Sequence, residues 1–199
     1  MDIISIIEQF AFYTGLLYVV LEIFQKNFMW VVGILTGAAC AYSFMVQHLY
    51  ASMGLNIYYV FVSFWGLYRW RKAGHLLKDP AKEEKSAATI HLERMSLRTA
   101  LVSLVTFIVG SALLVLILKA IGDSESVLDA IVAVMSAIGT WWLAESYPQQ
   151  WLVWIVADVL SAVLCFVSGL NWMALLYIAY AVSAVYGYYH WIRKGAYVG

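Results

Sequence analysis

One ten-residue segment, Gln149 to Asp158 (QQWLVWIVAD), combines the residue types best suited to bind a small ligand. Trp151, Trp154 and Asp158 are separated by three and four residues, so a helix places them on one face. Indole faces bind flat rings and cations, and a carboxylate binds a cation or accepts hydrogen bonds from hydroxyl groups. The segment therefore predicts a pocket for a flat, positively charged ligand.

The composition of the chain places this acid inside a membrane. Hydrophobic residues make up 64% of the 199 residues and charged residues only 12%, whereas a soluble domain carries about 25% charged residues. An ionisable side chain within a membrane is costly and usually functional. The alternative for Asp158 is structural, namely a hydrogen bond to a neighbouring helix made by the protonated acid.

Seven apolar runs are close to the roughly 20 residues that a membrane-spanning helix needs. They predict an all-α integral membrane protein, with the polar stretch 71–96 as a connecting loop. The predicted spans are Ile3–Phe24, Phe28–Val46, Leu55–Trp70, Leu97–Ile121, Val127–Leu143, Trp151–Phe166 and Trp172–Trp191.

The distribution of basic residues predicts the orientation of these spans. Most of them lie in or beside the 71–96 loop, which is therefore predicted to be cytoplasmic. Lys26, Arg193 and Lys194 then also lie inside, and only Lys119 lies outside. This arrangement puts the N-terminus outside and the C-terminus inside.

A weak internal repeat divides the chain. It predicts a first three-helix repeat at 1–70, a linker helix at 97–121 and a second, parallel repeat at 127–195, which is a 3+1+3 plan. Transporters built from repeats bind substrate near the midplane between them. Trp30 is thus the counterpart of Trp151, while Asp158 corresponds to Gly37, so recognition should be asymmetric. The residue pairs at the common offset of 121 include Trp30 with Trp151, Tyr59 with Tyr180, Gly66 with Gly187, Tyr68 with Tyr189, and Trp70 with Trp191.

Two further residues are candidates for ligand contact. The amide of Asn56 could bind the edge of a ligand or simply cap a helix, and the hydroxyl of Tyr177 could enter a central cavity or pack between helices. The four histidines are scattered and form no metal-binding pattern. Nucleotide-binding and hydrolase motifs are missing from the sequence, so no enzyme, cofactor or nucleic-acid partner is predicted.

These features resemble the PnuC family of vitamin transporters. The family pattern Trp-x-x-Trp-x-x-x-Asn/Asp corresponds to Trp151, Trp154 and Asp158, and its Gly-x-Tyr-x-Trp pattern corresponds to the segment that ends at Trp70. The stretch LYASMGLNIYY and the last span are also similar to the family. Two positions depart from the common residues: Asp158 stands where Asn is frequent, and Asn56 where Gln is frequent.

The resemblance implies facilitated uptake of nicotinamide riboside across the bacterial inner membrane, with trapping by a separate cytoplasmic kinase. It also implies a homotrimer surrounded by lipid, and ligand contacts by Trp151, Trp154, Asp158 and Asn56. A thiamine transporter of the same family is the first alternative, because thiamine is cationic too. A receptor or assembly subunit that transports nothing, with the aromatic face binding lipid or another helix, is the second.

Overall fold

The computed structural model describes residues 15–46, 50–77, 90–120, 126–167 and 171–198. Within them lie seven helices, together with strands β1 (Ile90–Leu92) and β2 (Gly195–Tyr197), which form a two-stranded sheet. The predicted span residues 3–14 and the loop residues 78–89 lie outside the described part. The helices are α1 (residues 15–23), α2 (Phe28–Val46), α3 (Tyr50–Leu77), α4 (Leu97–Ala120), α5 (Ser126–Ala144), α6 (Gln150–Val167) and α7 (Asn171–Lys194).

The structure differs from the expected elements in two places. The third helix was predicted at Leu55–Trp70 but begins at Tyr50 and continues to Leu77. It extends beyond Trp70 because the basic, alanine and leucine residues there are good helix formers although they are not uniformly apolar. The fold was predicted to be all-α, but the structure also contains two short strands. One of them, Ile90–Leu92, lies inside the stretch 71–96 that was predicted to be a loop.

The apolar surface of α4 is typical of a helix that faces lipid. None of its residues is buried within the protein, yet leucine, isoleucine and valine side chains cover it. A helix that is apolar all round is either a core helix or a membrane span, and lack of burial excludes the first. Within the described residues, α4 and α6 are each long and apolar enough to cross a membrane.

The chain divides into two compact units. The first comprises Met1–His91 with Tyr189–Val198, and the second comprises Leu92–Tyr188 with Gly199. In the first unit, α2 and α3 pack closely at two glycines. A Cβ atom on Gly33 would lie 2.9 Å from Ser63 Oγ, and one on Gly37 would lie 2.9 Å from Val60 Cγ2. A side chain at either position would have to displace Ser63 or Val60, so the two glycines favour this close helix spacing.

Aromatic rings and one buried strand pack together in the first unit. Trp70 makes edge-to-face contacts with the rings of Trp30 and His91, at centroid distances of 5.0 and 5.7 Å. The Nε1–H of Trp191 donates a hydrogen bond to the carbonyl of Ile23 at 3.0 Å. Because the rings of Trp70 and Trp191 also contact each other, with centroids 6.2 Å apart, indole contacts join five described segments: α1, α2, α3, the end of α7 and β1.

Two turns repeat the same backbone geometry 121 residues apart. Gln25 and Ser146 both adopt a left-handed conformation, with φ of 49° and 62°, and each ends the first helix of a hairpin. The hydrogen bonds that close the turns also match. They are Gln25 N to Glu22 O (3.0 Å) with Ser146 N to Leu143 O (3.0 Å), and Lys26 N to Leu21 O (2.8 Å) with Tyr147 N to Trp142 O (2.9 Å).

Candidate ligand-binding site

Helix α6 buries polar residues and exposes apolar ones. Its buried residues include Gln150, Asp158 and Ser161, whereas Leu152, Val156, Val159, Val163 and Phe166 are exposed. A water-soluble helix has the opposite pattern. In a membrane protein, polar and ionisable side chains face the interior of the bundle, where they bind substrates or each other. The buried face of α6 is therefore the strongest candidate for a ligand-binding surface.

Asp158 lies at the centre of that face. Its side chain is 8% exposed, and it makes no hydrogen bond or ion pair with any other described residue. Neither α5 nor α6 contains a lysine or arginine that could neutralise it. An unpaired carboxylate in such surroundings is costly, so a cationic ligand or ligand hydroxyl groups would lower its free energy.

Tyr177 and Tyr180 on α7 are close enough to interact electrostatically with Asp158. Their rings contact each other edge to face, with centroids 6.2 Å apart and planes at 81°. The structure thus brings the predicted site residue Tyr177 to the predicted carboxylate. Two phenol hydroxyls beside one acid form a polar group that could bind the hydroxyls of a sugar.

The two indoles of α6 contact different neighbouring helices. Trp151 is 1% exposed, and a Cβ atom on Gly187 of α7 would lie 2.6 Å from its ring. Trp154 is half-buried and lies against Gly139 of α5, where a Cβ atom would be 3.4 Å from its Cε2. Trp151 therefore helps to pack α6 on α7, while Trp154 leaves part of its ring for other contacts.

The other two predicted site residues belong to the first unit. Trp30 is fully buried, and its ring occupies the space that a side chain on Gly66 would need. Asn56 is half-buried in α3, and its backbone carbonyl oxygen lies 3.4 Å from the Cβ position of Gly37. A part in ligand binding stays a prediction for both residues.

The indole contacts repeat at the offset found in the sequence, but one pair is reversed. Trp30 on Gly66 matches Trp151 on Gly187. Trp154, by contrast, corresponds to Gly33, and Gly139 corresponds to Tyr18, whose ring lies 3.6 Å from the Cβ position of Gly33. In the first hairpin the aromatic residue lies on α1 and the glycine on α2, whereas in the second the glycine lies on α5 and the aromatic residue on α6. Contacts between an indole and a glycine are thus present in both hairpins, but Trp154 and Asp158 belong to the second.

One polar residue of the site was missed in the sequence. Gln150 begins α6 and is 0% exposed, and neither its Oε1 nor its Nε2 atom has a hydrogen-bond partner among the described residues. A glutamine at the start of a predicted span looks like an ordinary polar helix end. The available signal was its counterpart at the repeat offset, which is the apolar Met29.

The described residues hold no cluster of three or more histidine, cysteine, aspartate or glutamate side chains suited to a metal ion. The α6 face provides one carboxylate, an indole and a carboxamide, and α7 provides two phenols. Together these groups suit a polar ligand with an aromatic, cationic ring.

Comparison with known proteins identifies the family. The family profile described as nicotinamide mononucleotide transporter matches residues 5–193. The nicotinamide riboside transporter PnuC of Neisseria mucosa is 30% identical over 187 residues, which cover 90% of this chain and 69% of that protein. The Escherichia coli K12 protein of the same name is 23% identical over 216 residues, covering 96% and 87%.

A solved structure agrees with the sequence relatives. The crystal structure of the vitamin B3 transporter PnuC superposes with a TM-score of 0.68 at 26% identity, covering 92% of this chain and 79% of that one. The similarity extends over nearly the whole chain in both sequence and fold. The resemblance read from the Trp151, Trp154 and Asp158 pattern is thus confirmed, and the chain belongs to the PnuC family of membrane transporters.

Proposed function

We propose that this protein carries nicotinamide riboside across the bacterial inner membrane by facilitated diffusion, and that a separate cytoplasmic kinase traps the substrate. The observation that carries the proposal is the buried Asp158, which has no described cationic partner and lies beside Tyr177 and Tyr180. Nicotinamide riboside has a flat pyridinium ring, which bears the missing positive charge, and ribose hydroxyls, which match the phenols.

The charge of the site favours a nucleoside over a nucleotide. The phosphate of nicotinamide mononucleotide would need basic partners. Neither α5 nor α6 contains a lysine or arginine, and those of α7, Arg193 and Lys194, lie in its last turn, far along the helix from Tyr177 and Tyr180. A phosphate close to Asp158 would also meet a like charge. We therefore expect nicotinamide riboside to bind much more tightly than its phosphorylated form.

Thiamine is the second candidate, because its thiazolium ring is also a flat cation that Asp158 would attract. Equilibrium binding to the purified protein in detergent distinguishes these hypotheses. The ligands are radiolabelled nicotinamide riboside, nicotinamide mononucleotide and thiamine. We expect saturable binding of nicotinamide riboside alone. Preferential binding of thiamine would make thiamine the substrate. Binding of none of the three would favour a receptor or assembly subunit.

The contacts of the first unit support the proposed orientation of the chain. The α1–α2 turn, β1 and β2 are all predicted to be cytoplasmic, and the structure brings them together. Gln25 of the turn makes two hydrogen bonds with the backbone of His91, and β1 pairs with β2. Segments that touch lie on the same side of a membrane, as the proposed seven-span topology requires.

A further inference from the structure

The carboxamide of Gln150 is buried without a hydrogen bond to any residue that the structure describes. The residue is 0% exposed, and both Oε1 and Nε2 lack a partner there. Burying an amide unsatisfied lowers the stability of a folded protein. An apolar residue of the same size would avoid that cost, so packing does not explain why glutamine is present.

The first hairpin contains such an apolar residue at the equivalent position. Met29 lies 121 residues before Gln150, follows a turn of the same backbone geometry, and is also 0% exposed. Methionine and glutamine are both unbranched and have almost the same length. Packing at this position therefore requires only an unbranched chain of that length, and the amide is specific to α6.

Gln150 lies on the same side of α6 as the two polar groups already described. Gln150, Trp154 and Asp158 are four residues apart, so they fall within an arc of about 80° and span about 12 Å along the helix axis. The indole Nε1 of Trp154, between the other two, is also buried without a hydrogen bond to the described part of the chain. A ligand extended along α6 would thus meet an amide, an indole N–H and a carboxylate in that order.

We propose that Gln150 determines substrate specificity by pairing with a ligand group that presents one hydrogen-bond donor beside one acceptor. A primary carboxamide does this, and it would satisfy Oε1 and Nε2 together. The proposal rests on the proposed function: the carboxamide of nicotinamide lies at Gln150, the ring at Trp154, and the ribose towards Asp158. Nicotinate riboside, whose carboxylate has no donor, leaves Gln150 Oε1 unpaired and is rejected.

The test compares Gln150→Met with the reciprocal control Met29→Gln. Titration calorimetry in detergent gives the Kd of each protein for nicotinamide riboside and for nicotinate riboside. We expect wild type to prefer the carboxamide by at least about a hundredfold. Gln150→Met should weaken nicotinamide riboside binding at least tenfold and leave nicotinate riboside binding nearly unchanged, while its melting temperature equals or exceeds that of wild type. Met29→Gln should lower the melting temperature and keep the wild-type preference.

The possible failures are distinguishable. A wild-type protein that binds neither riboside overturns the proposed function itself. A wild-type protein that binds both equally, or a Gln150→Met variant that keeps the wild-type Kd and preference, overturns the role of Gln150 and leaves the proposed function standing. Gln150→Leu provides a second apolar variant if Gln150→Met folds poorly.

Discussion

At the scale of single residues, some side chains of α6 pack against another helix and others face the proposed ligand. Trp151 is buried against Gly187 as Trp30 is against Gly66, so each indole fixes one helix against another. On the face proposed for the ligand, Gln150 and Trp154 carry polar side-chain atoms that make no hydrogen bond with any described residue, and Asp158 is a buried acid. Buried polar atoms without hydrogen bonds lower the stability of the folded protein, and we attribute their presence on α6 to ligand binding.

Asp158 is expected to contribute most to affinity. Asp158→Ala should weaken nicotinamide riboside binding by about 2–5 kcal/mol, because a desolvated charge partner is lost. Asp158→Asn keeps the shape and the hydrogen-bonding oxygen, so it should retain part of the affinity. Radioligand binding at fixed pH measures both variants, and an unchanged Kd in Asp158→Ala would assign the acid a structural role.

The two glycine contacts provide a matched pair of variants. An added methyl group at Gly187 or at Gly66 would displace an indole and should cost about 1–3 kcal/mol of stability in either case. Only Gly187→Ala moves Trp151, next to the proposed ligand face, so only this variant should also weaken nicotinamide riboside binding, by tenfold or more. Melting temperature and Kd are measured on both proteins. Equal binding losses in the two variants would contradict an asymmetric site.

The sequence indicated a candidate site but not the contacts of its members. Tryptophans three apart beside an acid predicted a ligand face, and the structure places Tyr177 within electrostatic range of Asp158, a proximity that the sequence did not indicate. It also shows Trp151 packed on Gly187, whereas the sequence indicated only that Gly66 and Gly187 share an offset. Gln150 escaped notice because the burial of a side chain depends on tertiary packing and not on spacing.

At the scale of the elements, the short strand β1 is held by side chains from other segments. Gln25 Nε2 donates to the carbonyl of His91 at 2.9 Å, and the His91 amide donates to Gln25 Oε1 at 2.8 Å. In the second unit, the amide of Glu93 donates to the carbonyl of Ser146 at 3.2 Å. A three-residue strand has no sequence signal of its own, which explains why it was predicted as loop.

His91 should make the protein less stable at acidic pH. Burial, together with the positive charge of Arg69, lowers the pKa of His91 to about 4, below its ordinary value of about 6.5. Between these values the unfolded chain binds a proton that the folded protein does not, so stability falls as pH falls from about 6.5 to 4. Between pH 7 and pH 5 this effect amounts to about 2 kcal/mol.

Thermal unfolding in detergent at pH 7 and pH 5 measures this loss. His91→Phe is the control, because it keeps a ring against Trp70 and removes the titrating group. Carboxylates elsewhere titrate equally in both proteins, so the difference between the two pH dependences reports His91. Identical pH dependences would show that His91 is not the group responsible.

At the scale of the whole molecule, the proposal of facilitated diffusion makes a prediction about energy coupling. Uptake of nicotinamide riboside into proteoliposomes should be equally fast with and without a sodium or proton gradient. It should also stop when the internal and external concentrations are equal. Accumulation above the external concentration, driven by either gradient, would contradict facilitated diffusion.

The helices were largely predictable from the sequence, since long apolar runs leave few alternatives. The ends of α4, α5, α6 and α7 lie within a few residues of the predicted spans, whereas α3 continues beyond its apolar run. The homotrimer and the 3+1+3 plan stay predictions. Light scattering of the purified protein with detergent correction measures the first, and the repeated turns at Gln25 and Ser146 support the second.

The close packing at Gly33 and Gly37 has an evolutionary consequence. The first hairpin has glycine at the two positions where the second carries Trp154 and Asp158, and its α3 lies close enough for Ser63 and Val60 to occupy that space. A tryptophan at Gly33 or an aspartate at Gly37 would therefore collide with these side chains. If the hairpins arose by duplication, a single substitution could not give the first hairpin the same aromatic or acidic side chain without a shift of α3.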